Sequence, residues 1–150
     1  QFSLTEGNAA IYLSAFYNLK EFDFTKEKQK GYFDLQLNAY NFPNNIAAPF
    51  LEGVLSNMEG KFDADIHFDG KFPKLNTAGT VFLSEGGVNV DYLKTRYTYK
   101  ATTVPVNNQL FDLTGGVLYD KYNHTAQITG GVSHDYLKKF GFKAKLSSKR

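Results

Sequence analysis

From Lys61 to Asp69 apolar and polar residues alternate without a break: Phe62, Ala64, Ile66 and Phe68 interleave with Lys61, Asp63, Asp65, His67 and Asp69. Side chains of an extended chain point to opposite faces with period two, so this stretch forms a strand with one apolar and one charged face. Such a strand needs backbone partners and a cover for its apolar side. Gly70 and the Pro73 region punctuate the chain, and Val81 and Leu83 resume the alternation. Glu85-Gly86-Gly87 then reads as a tight turn into a strand carrying Val88 and Val90. The expectation is an amphipathic antiparallel meander from Gly60 to Asp91.

The rest of the chain reads in the same way. Phe2–Leu4 is strand-like and Glu6-Gly7-Asn8 a turn. In the next strand Ala10, Tyr12, Ser14 and Phe16 face one side and Ile11, Leu13, Ala15 and Tyr17 the other, so both faces are fairly apolar. Lys20 to Lys30 is dominated by charge and reads as an exposed loop or as the ends of two strands around one. Tyr32 to Tyr40 alternates again, and Asn41-Phe42-Pro43-Asn44-Asn45 ends it. Later strands fall near Tyr97–Thr103, Val104–Val106 after a kink, Gln109–Leu113, Val117–Tyr119, Thr125–Ser133 and Phe142–Leu146. On them Phe111 shares a face with Leu113, and Ala126 with Ile128 and Val132. Gly115-Gly116 and Gly130-Gly131 mark bulges or places where another backbone comes close.

One segment departs from period two. Phe50, Leu51, Val54, Leu55 and Met58 recur at helical spacing, Pro49 suits a first helical turn and Gly60 a stop, which predicts one short α-helix over 48–58. Its expected role is to plug the open end of the sheet. The first strand pair also echoes the last: Ala10-x-Tyr12-x-Ser14 parallels Ala126-x-Ile128-x-Gly130, and Phe33-x-Leu35-x-Leu37 parallels Phe142-x-Ala144-x-Leu146.

The fold class is therefore all-β, with one sheet-forming domain over residues 1–150. First strands occupy 1–43, the helix 48–58, the main meander 60–146 and a basic tail 147–150. Because strand-like sequence reaches both termini, the chain reads as a segment of a longer protein. Two architectures satisfy the pattern: an elongated sheet that stays open and curls, or a closed β-sandwich. In the first the apolar face is a groove that favours acyl chains. In the second it is core, and function lies in loops that bind protein or glycan, as in an adhesin or scaffold module.

Chemistry is sparse. A net charge of +2 gives nucleic acid little to hold, and with no cysteine there is no thiol nucleophile or thiolate metal site. The three histidines, His67, His124 and His134, stand apart in sequence, and Asp65, His67 and Asp69 read as a solvated strand face rather than a metal site. No GxSxG elbow, GxGxxG or Walker sequence occurs. The reading is of a protein without catalytic activity or cofactor.

An ordered set of phrases runs Gly60, Gly70-Lys-Phe-Pro73, Ala78-Gly79-Thr-Val-Phe-Leu83, Gly87-Val-Asn-Val-Asp-Tyr92-Leu93, Tyr97. It continues as Leu118-Tyr119-Asp120-x-x-Asn123-x-x-Ala126-x-Ile128-x-Gly130-x-Val132-x-His134. This set resembles the TamB group of the AsmA-like envelope proteins over Gly60 to Leu146, and over the first third only through the internal repeat. The resemblance implies a β-taco, an elongated sheet folded lengthwise around a hydrophobic interior. It further implies a place in a periplasm-spanning protein anchored in the inner membrane, moving phospholipid between membranes. An Omp85-class barrel protein, and a role in outer-membrane protein assembly, go with that reading, as do neighbouring segments of the same long chain. On this resemblance Phe62, Ala64, Ile66, Phe68, Val81, Leu83, Val88, Val90, Phe111, Leu113, Ala126, Ile128 and Val132 line the groove, and Asp120 and His134 have structural roles. The 48–58 helix and the charged Lys20 to Lys30 segment depart from the pattern.

Overall fold

The computed structural model describes residues 2–6, 8–18, 32–71 and 74–148; the charged Lys20 to Lys30 segment lies outside them. The described residues form β1 (Phe2–Glu6), β2 (Ala9–Asn18), β3 (Tyr32–Pro43), β4 (Leu55–Glu59), β5 (Lys61–Lys71), β6 (Asn76–Leu83) and β7 (Gly86–Val90). They continue with β8 (Thr95–Tyr99), β9 (Thr102–Val106), β10 (Leu110–Asp112), β11 (Val117–Tyr119), β12 (Thr125–Asp135) and β13 (Lys138–Ser148). All thirteen join one antiparallel sheet in the order β1-β2-β3-β5-β6-β9-β10-β12-β11-β8-β7-β4, with β13 on the other edge of β12. The sheet curls into an open half-barrel. A closed sandwich is thereby excluded among the described residues, since a sandwich needs two sheets packed face to face.

The order is explained by strands that are each broken once near the middle. β10 and β11 both lie on one edge of β12, against Gly131–Ser133 and Thr125–Gln127 respectively. Hydrogen bonds from Leu113 N–H to Gly130, from Gly115 N–H to Ile128 and from Ile128 N–H to Gly116 fill the space between them. Residues 110–119 thus run along β12 as one strand with an extra residue. The pairs β8/β9, β6/β7 and β4/β5 are divided in the same way. At the first three divisions two consecutive residues are exposed, Thr114-Gly115, Lys100-Ala101 and Ser84-Glu85, which shifts the alternation by one. Bulges bend a strand and increase its twist, so a line of them bends the sheet. One half carries β9, β6, β5, β3, β2 and β1, and the other β8, β7 and β4.

This geometry corrects the tight turn expected at Glu85-Gly86-Gly87. β6 and β7 do not pair; Gly86 lies in the sheet opposite Tyr99, and a Cβ there would meet the Tyr99 hydroxyl at 2.7 Å. The glycine serves close approach rather than a reversal. The expected kink before Val104 is a bulge at Lys100-Ala101 instead. The last strand runs on through Ser148, so 147–148 are sheet and not tail.

The predicted α-helix over 48–58 is also corrected. A short helix is present, but it is a 3-10 helix over Asn44–Phe50, and Leu55–Glu59 is β4. Isolated helices this short are marginal, whereas β4 gains a ladder on β7, with Leu55 opposite Val90. Gly53 and Asn57, at φ 77° and 46°, interrupt any helix between them.

Asn44 fastens the bend. Its backbone N–H donates to Gly60, and its side-chain amide donates to Tyr99 Oη at 2.7 Å and to the Glu59 carbonyl at 3.1 Å. The residue is 7% exposed, and among the described residues its Oδ1 has no hydrogen-bond partner. Burial, only partly offset by the Asn44 bond, pushes the Tyr99 hydroxyl above its ordinary pKa and keeps it neutral. Asn44→Ala should lower stability by about 1 kcal/mol, less than two lost bonds would suggest, because the buried Oδ1 goes too. Chemical denaturation checks the value, and an unchanged midpoint would remove Asn44 from the bend's support.

Candidate functional site

The apolar face is assembled by register, not by any one element. Leu13, Leu37, Ile66, Gly79, Val106, Phe111, Val132 and Phe142 are successive Cα partners across β2, β3, β5, β6, β9, β10, β12 and β13. Seven inter-strand steps make this row roughly 34 Å wide. A parallel row runs Ile11, Ala39, Ala64, Val81 and Val104. Ala39, Ala64 and Ile66 form a buried cluster, with Ile11, Phe42, Phe62, Phe68 and Val81 packed against it.

The face is poorly covered. Val90, at 1% exposure, is the only side chain below 2% among the described residues. Curling buries the middle of the sheet and leaves the rest of the furrow partly open.

All thirteen residues expected to line the interior lie in described strands or, for Leu113, between β10 and β11. Ala64, Ile66, Val90, Ile128 and Val132 are buried. Phe62, Phe68, Val81, Leu83, Val88, Phe111, Leu113 and Ala126 are partly buried. Register brings Phe62 opposite Leu83, Ala64 opposite Val81 and Phe111 opposite Val132. Val88 and Val90 lie beyond the bend, opposite Tyr97 and Thr95. Sequence reading missed Leu37, Val104, Val106, Leu118 and Phe142 as lining, although the alternation of Val104 with Val106 marks the face. Leu118 sits in a three-residue strand too short to show a period.

The internal repeat does not hold spatially. Tyr12, the counterpart of Ile128, is 38% exposed, whereas Ile128 is 6% exposed in the furrow. In β2 the lining falls instead to Ile11 and Leu13.

An aromatic group gathers where β10, β12 and β13 meet. Phe111 lies 5.0 Å from His134, and Phe140 stacks on His134 at 6.0 Å. Phe50, 65% exposed at the end of the 3-10 helix, reaches Phe140 at 6.2 Å. His134 is held at both nitrogens: Nε2 donates to the Asn107 carbonyl at 2.8 Å, and Nδ1 accepts the Leu137 N–H at 3.0 Å. Burial lowers its pKa, opposed by the Asn107 bond and the Asp135 charge. Asp120 Oδ1 accepts the N–H groups of Tyr122 and His124 and shapes the β11–β12 turn. Both residues therefore serve the framework.

On the opposite face β3 and β5 present polar side chains. His67 bonds Asp34 at 2.9 Å and Gln36 at 3.0 Å, and Gln36 donates to Asp65 at 2.6 Å. His67 is thus paired across strands rather than with Asp65 and Asp69 on its own strand. Among the described residues no three His, Asp or Glu side chains converge as metal ligands, and no helix is long and apolar enough to cross a membrane.

Comparison with protein-family models, curated proteins and solved structures gave no match. The likeness to the TamB group rests on the sequence phrases alone.

Proposed function

We propose that this chain is a lipid-carrying segment whose curled apolar face takes up phospholipid acyl chains while headgroups stay at the polar rim. The observation that carries the reading is the unbroken row from Leu13 to Phe142 on an open sheet. Each buried CH₂ is worth about 0.8 kcal/mol, so an acyl chain covering the row has a strong incentive to leave water. A single chain spans about half of a bilayer's ~30 Å hydrocarbon core, a length the row accommodates. No reacting group is required. With the resemblance to the TamB group, the proposal extends to passage across the periplasm between inner and outer membranes. It then includes an Omp85-class barrel partner, adjoining segments of a longer chain and help in outer-membrane protein assembly.

Ile66 and Ile128 are buried, and a charge there would threaten the fold. Phe142 is a better probe, since it is partly buried on β13, at the sheet edge. Phe142→Arg should reduce co-purifying phospholipid, read by mass spectrometry after mild purification, by about tenfold with circular dichroism unchanged. A folded wild-type protein that carries no lipid and takes none from vesicles overturns the reading.

A further inference from the structure

The 3-10 helix Asn44–Phe50 leaves the end of β3, yet Phe50 at its far end meets Phe140 on β13. Around the sheet those two strands lie six inter-strand steps apart, through β5, β6, β9, β10 and β12, or about 29 Å. The two rings stand 6.2 Å apart, edge to face. Phe140 is two residues from Phe142 and shares its face, so Phe50 approaches the apolar side of the sheet, beside Phe111 and His134. At about 2 Å per residue the helix runs roughly 12 Å from Asn44 to Phe50, a chord across the furrow rather than a part of its wall.

The ends and the tip of this crossing are held unequally. Asn44 is buried and fixed by its bonds to Gly60, Glu59 and Tyr99. At the other end the Val54 carbonyl accepts the Asp91 N–H at 3.1 Å, and the Leu55 N–H donates to the Leu51 carbonyl at 3.0 Å. Between these anchors Ile46 and Phe50 are 50% and 65% exposed, and Ala48 and Pro49 are exposed as well. Gly53, at φ 77°, has nothing within 4 Å of its missing Cβ. No residue from Asn45 to Leu51 carries a charge. What the tip has for a fastening is an edge-to-face ring contact, of a strength that breaks and re-forms thermally.

We infer that residues 44–54 form a strap across the furrow with Phe50 on Phe140 as its catch, and that acyl chains enter and leave from the side when the catch is open. The inference rests on the lipid-carrying reading for what passes, and on the chord and its unequal fastening for the strap. Closed, the uncharged strap adds apolar cover on the side that the sheet leaves open, which lowers the exposure of bound tails to water.

The chain has no cysteine, so a thiol pair can be introduced without competition. Phe50→Cys combined with Phe140→Cys is bridged by an ethylene bis-methanethiosulfonate, which dithiothreitol removes, and circular dichroism checks the fold. Two probes are followed: N-phenyl-1-naphthylamine, an apolar dye, and a pyrene-labelled phospholipid offered in phosphatidylcholine vesicles. The expected result is that the bridge slows entry of both by about tenfold or more and that dithiothreitol restores it. Phe50→Ser, which alters the exposed ring alone, should speed dye entry about threefold by weakening the catch. It settles the question if the cysteine pair does not fold, since an unchanged rate overturns the strap. Failure of the folded pair to bridge, or equal dye entry with the bridge on and off, also overturns the strap, and phospholipid uptake in that case leaves the lipid-carrying reading standing. Dye entry gated by the bridge, with phospholipid entering neither form, keeps the strap and sinks the lipid-carrying reading. Entry of neither probe into any form overturns both.

Discussion

Gly131→Ala should cost about 3 kcal/mol or more, at the upper end of single-substitution effects. Gly131 lies in β12 between Asp112 of β10 and Lys143 of β13. A Cβ on it would collide with the Phe111 carbonyl oxygen and lie 3.0 Å from the Leu113 nitrogen. These are backbone atoms held by their own ladder, so they cannot swing aside as a flexible side chain could. Relief requires 110–113 to part from β12, which would pull Phe111 from Val132 and open the aromatic group around His134. The control is Gly115→Asn. Gly115 has φ 89° and nothing within 4 Å of its missing Cβ, and asparagine tolerates a positive φ, so the change should stay within about 1 kcal/mol. Urea midpoints for the two variants and wild type decide the matter. Equal, small shifts in both would mean that β10 does not press on Gly131.

The second large effect concerns acid. His134 is 4% exposed, and its neutral form fits its site, because Nδ1 must be unprotonated to accept the Leu137 N–H. Its pKa is lowered in the folded state, so between the unfolded value near 6.5 and that lower value the unfolded chain binds the extra proton. The stability that His134 contributes is complete above about pH 6.5. It declines as pH falls through that window, by up to about 1.4 kcal/mol per pH unit. His134→Gln should be less stable than wild type at pH 8, having lost ring packing against Phe111 and Phe140. It should also lose this component of the acid slope. Denaturation midpoints from pH 8 to pH 5 give both numbers. Parallel curves for the two proteins would show that His134 does not titrate between folded and unfolded states.

Much of the face was legible because burial on one side of a sheet enforces alternation. β5 shows this most clearly: Phe62, Ala64, Ile66 and Phe68 all point inward, as period two requires. At Asn107-Asn108 the local chemistry agrees with the fold, since Asn107 Oδ1 accepts the N–H groups of Gln109 and Leu110, the bond that suits asparagine to turns. The bend was not legible. A bulge adds one residue and leaves no compositional trace, so Glu85-Gly86-Gly87 looks like a hairpin turn when read locally. What distinguishes it is that Gly86 faces Tyr99, thirteen residues away, and no local pattern carries that information. The 48–58 segment misled for a related reason. Apolar residues at helical spacing describe a stripe, but Leu55 is drawn to Val90 by tertiary pairing that outweighs local preference.

The aligned bulges have one more consequence. Long amphipathic strands of repetitive alternation are prone to slip along one another, since a two-residue slide restores the same in-and-out pattern. Here a slide of β5 on β6 would carry Lys61 away from Ser84, whose hydroxyl and N–H both grip it, and would drag β4 out of step with β7. The same holds for β6 and β7 against β8 and β9. The bend thus acts as a detent, setting the phase of every strand that crosses it and leaving the furrow with one arrangement of its lining.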